Sequence, residues 1–166
     1  MKPGRALRHL FATHWGTERR FTPAVLAGIE ASVSQVEAQH AGEIRFVIET
    51  ALHPADLWRD LAPRARALQL FSQLRVWDTA QNNGVLIYVL LADRDVEILA
   101  DRGLAERVPQ AEWYEICREM QRHFSNGDFA RASVAGVQHV GRLLARHFPS
   151  AGGAGANELP NQPVLL

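Results

Sequence analysis

The chain has 166 residues, of which 47% are hydrophobic and 8% aromatic, and its 18 Lys and Arg balance 18 Asp and Glu. This length and composition fit one globular domain with short extensions, which can bury a core without disulfides. The single cysteine, Cys117, excludes an intramolecular disulfide, a CxxC redox pair and a cysteine-rich zinc cluster. The longest fully apolar run, Val85 to Ala92, is far shorter than the ~20 residues that span a bilayer. The sequence therefore predicts that this is not an integral membrane protein.

Charge is unevenly distributed along the chain. Residues 1–20 carry five cations and one acid, a net charge of +4, whereas residues 78–119 carry nine acids and four arginines, a net charge of −5. A neutral chain lacks the positive surplus that general nucleic-acid binding requires, so we expect no nucleic-acid partner. No apolar export segment follows the basic N-terminus, which predicts a cytoplasmic location.

Residues 1–21 form a basic N-terminal arm. Leu7, Leu10 and Phe11 would share one face of a short helix, so we expect the arm to dock on the body as a cap over the core. A basic amphipathic helix also suits an anionic membrane surface. Both interpretations stay open at this point.

The next segments read as a helix, a strand and a broken helix. Thr22-Pro23 is a helix start, because a capping hydroxyl precedes a proline at the first helical position, and apolar residues then recur at helical spacing up to Ala41-Gly42. Residues 43–50 (EIRFVIET) alternate, which predicts a strand with one apolar face and one partly solvated charged face. Residues 55–77 read as helix, with a break near Pro63.

The second half begins with a buried strand. Residues 84–91 (GVLIYVLL) are apolar on both faces, as in a central strand that is covered from both sides. A tight polar turn around Asp93-Arg94 and a further strand over residues 96–101 predict a hairpin. Helices fit residues 109–125 and 128–147. The Gly- and Pro-rich tail over residues 149–166 has no periodic core pattern, so we expect it to be flexible.

This order of elements predicts an α/β fold. We expect a three-layer α/β/α sandwich over residues 22–148, with a small mixed sheet that has one parallel crossover and one β-hairpin. The segment 84–91 should be its central strand.

The topology brings several oxygen-bearing side chains to one end of the sheet. The first two strands begin there, the hairpin ends there, and the crossover helix delivers Asp78 to the same place. Hard divalent cations are bound by carboxylate, amide and carbonyl oxygens, and Ca²⁺ tolerates irregular loops better than Mg²⁺. The alternative is that these residues only cap turns or face water. The candidate metal ligands are Glu43, Asp78, Asn82, Asn83 and Asp101.

The opposite end of the sheet is a second candidate. It offers Glu49, Thr50, Asp93 and Asp95, and ligands of open α/β sheets prefer the carboxyl ends of parallel strands. The two aspartates are, however, ordinary hairpin-turn residues beside Arg94. We therefore rank this end second.

Residues 75–103 (RVWDTAQNNGVLIYVLLADRDVEILADRG) resemble a TPM domain, the family of the thylakoid-lumen photosystem II repair protein and its bacterial relatives. The resemblance rests on the Asn82-Asn83-Gly84 turn before an apolar strand and on a polar hairpin whose second strand ends at Asp101 to Gly103. The helix-then-strand segment upstream and the helices downstream match in kind and order. The resemblance covers about residues 22–148.

This resemblance implies an α/β/α sandwich, Ca²⁺ binding and, for the plant member, an acid phosphatase activity. Bacterial relatives often have a signal peptide and a C-terminal membrane anchor. This chain is similar instead to the short, cytoplasmic branch. Asn82, Asn83, Gly84 and Asp101 are the positions that match the family pattern.

Two functions follow as hypotheses. The favoured one is a non-enzymatic protein-interaction module with a Ca²⁺ site, whose partner is a protein that can be membrane-associated. The charged face of the first strand is consistent with a sheet edge that such a partner would meet. The alternative is a metal-dependent phosphomonoesterase in which Asp101 or Asp78 holds a cation and Arg102 contacts the substrate.

Overall fold

A computed structural model describes residues 3–12, 14–150 and 157–166 of the chain. The helices and strands follow the predicted order, to which the structure adds two short helices before residue 22, a four-residue helix after β3 and a short strand at the C-terminus. In chain order they are α1 (Pro3–Phe11), α2 (His14–Arg20), α3 (Pro23–Glu37), β1 (Glu43–Glu49), α4 (Pro54–Trp58), α5 (Pro63–Gln73), β2 (Gly84–Leu90), β3 (Asp95–Ala100), α6 (Arg102–Ala105), α7 (Gln110–Ser125), α8 (Phe129–His147) and β4 (Val164–Leu165).

The strands form one mixed sheet in the order β3-β2-β1-β4. β1 and β2 are parallel, with Glu43 opposite Gly84, and β2 and β3 form the antiparallel hairpin. β4 runs parallel to β1 on its other side. The α/β class, the parallel crossover and the hairpin are therefore confirmed.

The sheet is covered on both faces. On one face, Ile44, Phe46 and Ile48 of β1 pack in a cluster with buried residues of α3, α7 and α8. On the other face, Val47 and Tyr88 pack with residues of α4 and α5. Every residue of β2 is buried, because the strand lies in the middle of the sheet between these two layers. This confirms the prediction of a central strand.

Local signals set the helix boundaries. The Thr22 hydroxyl accepts a hydrogen bond from the backbone N–H of Val25 at 3.4 Å, and Pro23 is the first helical residue of α3. The predicted helix over residues 55–77 is divided as expected, since α4 ends at Trp58 and Pro63 starts α5. Proline lacks the N–H that a helix interior requires, so each helix of this crossover begins at a proline.

The C-terminal residues differ from expectation. We expected residues 149–166 to be a flexible tail, but residues 157–166 pack on the sheet. Leu159 is 7% exposed, and Val164–Leu165 pairs with Val47 and Ile48 as β4. A long apolar pattern is not needed here, because the neighbouring strand supplies hydrogen-bond partners for the backbone.

The same segment corrects the prediction for the charged face of β1. Glu43 and Glu49 are buried, and β1 is not a sheet edge because β4 lies beside it. The Arg45 guanidinium donates to the backbone carbonyls of Pro160 and Gln162. Charged side chains on this face therefore bind other parts of the chain rather than water.

The N-terminal arm docks on the body through the buried Phe21 and through polar contacts of α1, but not through the three apolar residues singled out in α1. Leu7, Leu10 and Phe11 do share a face of α1, as predicted, yet all three are exposed. The buried face carries His9, which accepts a hydrogen bond from the Leu52 N–H at 3.0 Å through Nδ1. In the described ranges, no helix combines the length and the apolarity that crossing a bilayer requires.

Candidate functional site

The end of the sheet at which β1 and β2 begin, here called the amino end, collects the residues that the sequence singled out. The Glu43 N–H lies 3.4 Å from the Asn83 carbonyl, and the Asp101 N–H donates to the Gly84 carbonyl at 2.9 Å. The Gly103 N–H donates to the Asn82 carbonyl at 2.9 Å. The starts of both parallel strands and the end of the hairpin are thus held together by backbone hydrogen bonds, as the topology predicts.

The turn before β2 requires its particular residues. Asn82 has a φ of +52°, a left-handed conformation that asparagine tolerates better than most residues. A Cβ on Gly84 would lie 2.0 Å from the Val76 carbonyl oxygen, so only glycine fits at the start of the strand. Asn83 is fully buried, and its Nδ2 donates to the Ala41 carbonyl at 2.7 Å. The turn is therefore a rigid link between the starts of the two strands.

The five predicted ligands do not form one cluster. Asp78 is exposed in the loop before the turn. Asp101 caps α6 by accepting from the Arg102 N–H at 2.7 Å through Oδ1, while its Oδ2 is shielded from solvent with no donor among the described residues. Asn83 Oδ1 is shielded in the same way. Glu43 faces the C-terminal segment instead, where its Oε2 accepts from the Leu159 N–H at 3.1 Å.

A cavity of about 160 Å³ lies beside Glu43, and we call it the Glu37 cavity. It brings a second carboxyl group, that of Glu37 at the end of α3, to the same space. Glu37 Oε1 accepts from the Ile44 N–H at 2.8 Å, which ties the end of α3 to the start of β1. The lining consists of Ser34, Glu37, Ala38, His40, Ala41, Glu43, Asn157 and Asn161.

The two carboxyl groups of the Glu37 cavity are poorly neutralised. Burial, together with repulsion from the nearby Glu43, raises the pKa of Glu37 to about 8, against the hydrogen bonds from the Ile44 N–H and the Asn161 side chain. Burial likewise raises the pKa of Glu43, against hydrogen bonds from the backbone of Glu158 and Leu159. Burial lowers the pKa of His40 to about 4, so this imidazole supplies no positive charge near neutral pH. A cation in the cavity would offset the cost of burying the two carboxylates and the repulsion between them.

The donors left for a ligand are oxygens, because the Nδ1 of His40 already accepts from the Gly42 N–H at 3.2 Å and its Nε2 therefore carries the proton. Over the ranges that the structure describes, no three His, Cys, Asp or Glu side chains converge in an arrangement that could hold a metal ion. A cation in the Glu37 cavity would therefore need amide or backbone oxygens besides its two carboxylates. Asn161 borders the cavity and is held by a 2.9 Å hydrogen bond from its Nδ2 to the Ser34 hydroxyl. Its amide oxygen is of the kind that such an ion accepts, and its side chain also hydrogen-bonds the Glu37 carboxyl group.

At the opposite, carboxyl end of the sheet, Glu49 and Asp93 are paired with arginines, whereas Asp95 accepts only from the Val96 N–H and the Gln121 amide, and burial raises its pKa. Glu49 accepts two hydrogen bonds from Arg66, at 2.9 and 3.0 Å, and one from the Tyr88 hydroxyl at 2.6 Å. The Arg5 guanidinium binds Asp93 through Nε at 2.9 Å and Nη2 at 2.8 Å. Although burial alone would raise the pKa of Asp93, Arg5 and His9 hold it below its usual value. These pairs hold the fold together and leave little charge for a ligand.

Glu43 was predicted from the sequence as a candidate ligand, whereas Glu37 and Asn161, which line the same cavity, were not. Glu37 falls on a helical pattern that reads as an ordinary solvated position, and Asn161 lies in a tail without periodicity. A single signal was available for Glu37, namely its place in the last turn of α3, six residues before the strand that follows. Cys117 is buried, and burial raises the pKa of its thiol to about 12, so it is no nucleophile.

Comparison with solved structures places the fold. The chain superposes with a TM-score of 0.76 on the NMR structure of the BA42 protein from the psychrophilic bacterium Bizionia argentinensis, at 28% identity over 87% of this chain and 94% of that one. It superposes with a TM-score of 0.58 on the N-terminal domain of a protein from P. gingivalis, at 22% identity over 78% of this chain and 81% of that one. The second likeness concerns the fold alone.

Comparison at the level of sequence agrees. No curated protein matches this chain. The model of the TPM domain family, however, matches residues 17–143, which include β1, the Asn82-Asn83-Gly84 turn, the hairpin and most of α8. The chain belongs to the TPM domain family.

Proposed function

We propose that this TPM domain is a non-enzymatic interaction module that binds one Ca²⁺ ion in the Glu37 cavity. The observation that carries the proposal is the pair of carboxyl groups, of half-buried Glu37 and buried Glu43, on one cavity of about 160 Å³. Asn161 supplies a neutral oxygen, and backbone carbonyls or water complete the coordination. The proposal retains Glu43 from the predicted ligands and adds Glu37 and Asn161.

The elements around the cavity explain what a bound ion would do. Glu37 ends α3, Glu43 begins β1, and Asn161 belongs to the C-terminal segment that packs beside β1. One ion would therefore join three separate parts of the chain. Its role in this proposal is to hold the C-terminal segment and the amino end of the sheet in a single arrangement.

A protein partner fits the same end of the molecule. Trp77, in the loop before the turn, is 50% exposed, and Asp78 beside it is exposed as well. Exposed tryptophans often carry much of the binding energy in protein interfaces. The ion would then fix the surface that the partner meets without itself reacting.

Ca²⁺ is favoured over Mg²⁺ because the oxygens come from irregular parts of the chain. Mg²⁺ demands near-octahedral geometry and gives up water reluctantly, whereas Ca²⁺ accepts six to eight oxygens in variable arrangements. Only two of the ligands are charged, so we expect a dissociation constant on the order of 0.1 to 1 mM, as in weak extracellular-type sites.

Thermal unfolding with and without Ca²⁺ tests the proposal. A ligand that binds only the folded state stabilises it by about 2.7 kcal/mol at one hundred times its dissociation constant. We expect Ca²⁺ to raise the midpoint of the wild type, Mg²⁺ to raise it less, and Glu43→Gln to abolish most of the response. Asp78→Asn is the matched control, because Asp78 is an exposed acid at the same end. A response lost in Asp101→Asn but kept in Glu43→Gln would move the site to the turn before β2.

The phosphomonoesterase alternative has one observation in its favour. Arg102 is exposed beside Asp101, whose Oδ2 has no donor among the described residues. An assay of p-nitrophenyl phosphate hydrolysis with Ca²⁺, Mg²⁺ or EDTA separates the two functions. We expect no turnover that depends on a divalent cation. Turnover that is lost in both Asp101→Asn and Arg102→Ala would favour the alternative.

A further inference from the structure

Helix α1 is attached to the body through its polar face. The Arg5 side chain is 12% exposed and binds Asp93, and its Nη2 also donates to the Leu61 carbonyl at 2.7 Å. His9 is 5% exposed and lies 3.1 Å from Asp93 through Nε2. The contacts that hold α1 in place are therefore charged and polar, on the side that usually carries the apolar residues.

The apolar face of α1 consequently points away from the body. Leu7 is 54% exposed, Leu10 78% and Phe11 72%. Positions 7, 10 and 11 follow helical spacing, so they form one face. In α2, Trp15 is 65% exposed. In α1 the buried side carries Arg5 and His9, and the exposed side carries the large apolar residues, which is unfavourable for a monomer in water. Such an exposed apolar surface marks a binding face.

Cations accompany this apolar surface. The Arg8 side chain is 51% exposed, and Arg19 and Arg20 are exposed in α2. The Arg19 guanidinium lies 4.2 Å from the centre of the Trp15 ring. Residues 1–20 carry a net charge of +4. Large apolar side chains with tryptophan and arginine beside them are typical of segments that lie in the interface of an anionic bilayer.

We propose that α1 and α2 form a docking surface for an anionic lipid bilayer. Leu7, Leu10, Phe11 and Trp15 enter the boundary between headgroups and acyl chains, and Arg19 and Arg20 bind lipid phosphates, because Arg8 is already held by Asp93. A second copy of the chain is a poorer occupant, because a symmetric contact would bring the same arginines of both copies together. The polar contacts of Arg5 and His9 keep α1 in the orientation that presents its apolar face.

Co-sedimentation of the full chain with vesicles tests this surface. Phosphatidylcholine vesicles with about one-third phosphatidylglycerol are compared with pure phosphatidylcholine vesicles, in EDTA so that no divalent cation bridges protein and lipid. We expect binding to the anionic vesicles, little binding to the neutral ones, and loss of binding in high salt. The double variant Leu10→Ser, Phe11→Ser should bind at least about tenfold more weakly, since both side chains leave water on binding.

The controls make the outcome decisive. Leu68 is 61% exposed on α5, so Leu68→Ser removes an equally exposed leucine elsewhere and should bind like the wild type. Leu10 and Phe11 contribute little to the core, so the double variant should keep the thermal midpoint of the wild type. Absence of wild-type binding to anionic vesicles would overturn the proposal, as would equal binding by the double variant. A dimer in sedimentation velocity that the double variant loses would also overturn it, in favour of a second copy.

Discussion

Glu37 of α3 and Glu43 of β1 differ from Glu49, the buried acid at the other end of β1, in how their negative charge is balanced. Glu49 lies against the Arg66 guanidinium and the Tyr88 hydroxyl, so its negative charge is met by three hydrogen bonds to side chains. Glu37 accepts from the Ile44 N–H and from the Asn161 side chain, which are neutral donors, and its neighbour is another carboxyl group. Burial of a charge without a countercharge costs free energy, and groups of this kind are common at functional sites.

The raised pKa of Glu37 predicts how stability varies with pH. Between about pH 4.5 and pH 8, the folded chain holds a proton on Glu37 that the unfolded chain releases. The free energy of unfolding should therefore fall as pH rises through this range. Glu37→Gln keeps the acceptor for the Ile44 N–H but cannot ionise. In EDTA, we expect this variant to be more stable than the wild type at pH 8, by on the order of 1 to 2 kcal/mol, and to show a shallower slope.

Denaturant unfolding at pH 5 and pH 8 measures this difference. Glu30→Gln is the matched control, because Glu30 is an exposed acid on the same helix. It should leave the pH dependence of the wild type unchanged. Parallel curves for the wild type and Glu37→Gln would show that Glu37 is ionised in the folded state at neutral pH.

At the scale of elements, the C-terminal segment is the part whose structural role could not be predicted from the sequence. Residues 157–166 contribute a buried leucine, a two-residue strand and two backbone carbonyls that accept from Arg45. The Glu158 carboxylate accepts from the Ala80 N–H at 2.9 Å, which ties the segment to the loop before β2 as well. The segment therefore completes the sheet on the side of β1.

This arrangement predicts a clear cost for Leu159→Ala. Leucine-to-alanine changes in cores cost about 2 to 5 kcal/mol, and we expect the lower end here because the segment lies at the edge of the molecule. Gln162→Ala is the control, since the Gln162 side chain is exposed and its carbonyl, which binds Arg45, is unchanged. Thermal unfolding compares the two. Equal midpoints for Leu159→Ala and the wild type would mean that the segment does not dock in solution.

Most elements could be predicted from the sequence because their signals are local. Thr22-Pro23 and Pro63 mark helix starts by their own chemistry, and the run 84–91 is apolar on both faces whatever surrounds it. The burial of β1 could not be predicted in the same way. Residues more than 100 positions away in the sequence cover Glu43 and Arg45 on its charged face. The alternation of apolar and charged residues alone predicts that this face is exposed to water.

At the scale of the whole molecule, the oppositely charged segments of the sequence lie in contact with each other. The basic N-terminal arm and the acidic hairpin are separated by more than 80 residues, and they meet where Arg5 and Arg8 bind Asp93. The two-layer core fixes both ends of the sheet. At the carboxyl end Glu49 and Asp93 are paired with arginines, whereas at the amino end Glu37 and Glu43 have no ion pair among the described residues.

The candidate site was predicted only in part. The topology correctly brings Glu43, Asn82, Asn83 and Asp101 to one end of the sheet. It does not specify to which side of the sheet each side chain turns, and the Glu37 cavity forms only where α3, β1 and the C-terminal segment meet. That meeting depends on tertiary packing, which neither spacing nor periodicity encodes.

Calorimetric titration of the wild type with Ca²⁺ at pH 7, in two buffers that differ in ionisation enthalpy, tests the central proposal most directly. Glu37, whose pKa is raised to about 8, is mostly protonated at this pH, so Ca²⁺ must displace its proton. We predict one site per chain and release of up to about one proton per ion, with both lost in Glu37→Gln and kept in Asp78→Asn. Absence of binding up to about 10 mM Ca²⁺, or binding that releases no proton and survives Glu37→Gln, would contradict the proposal.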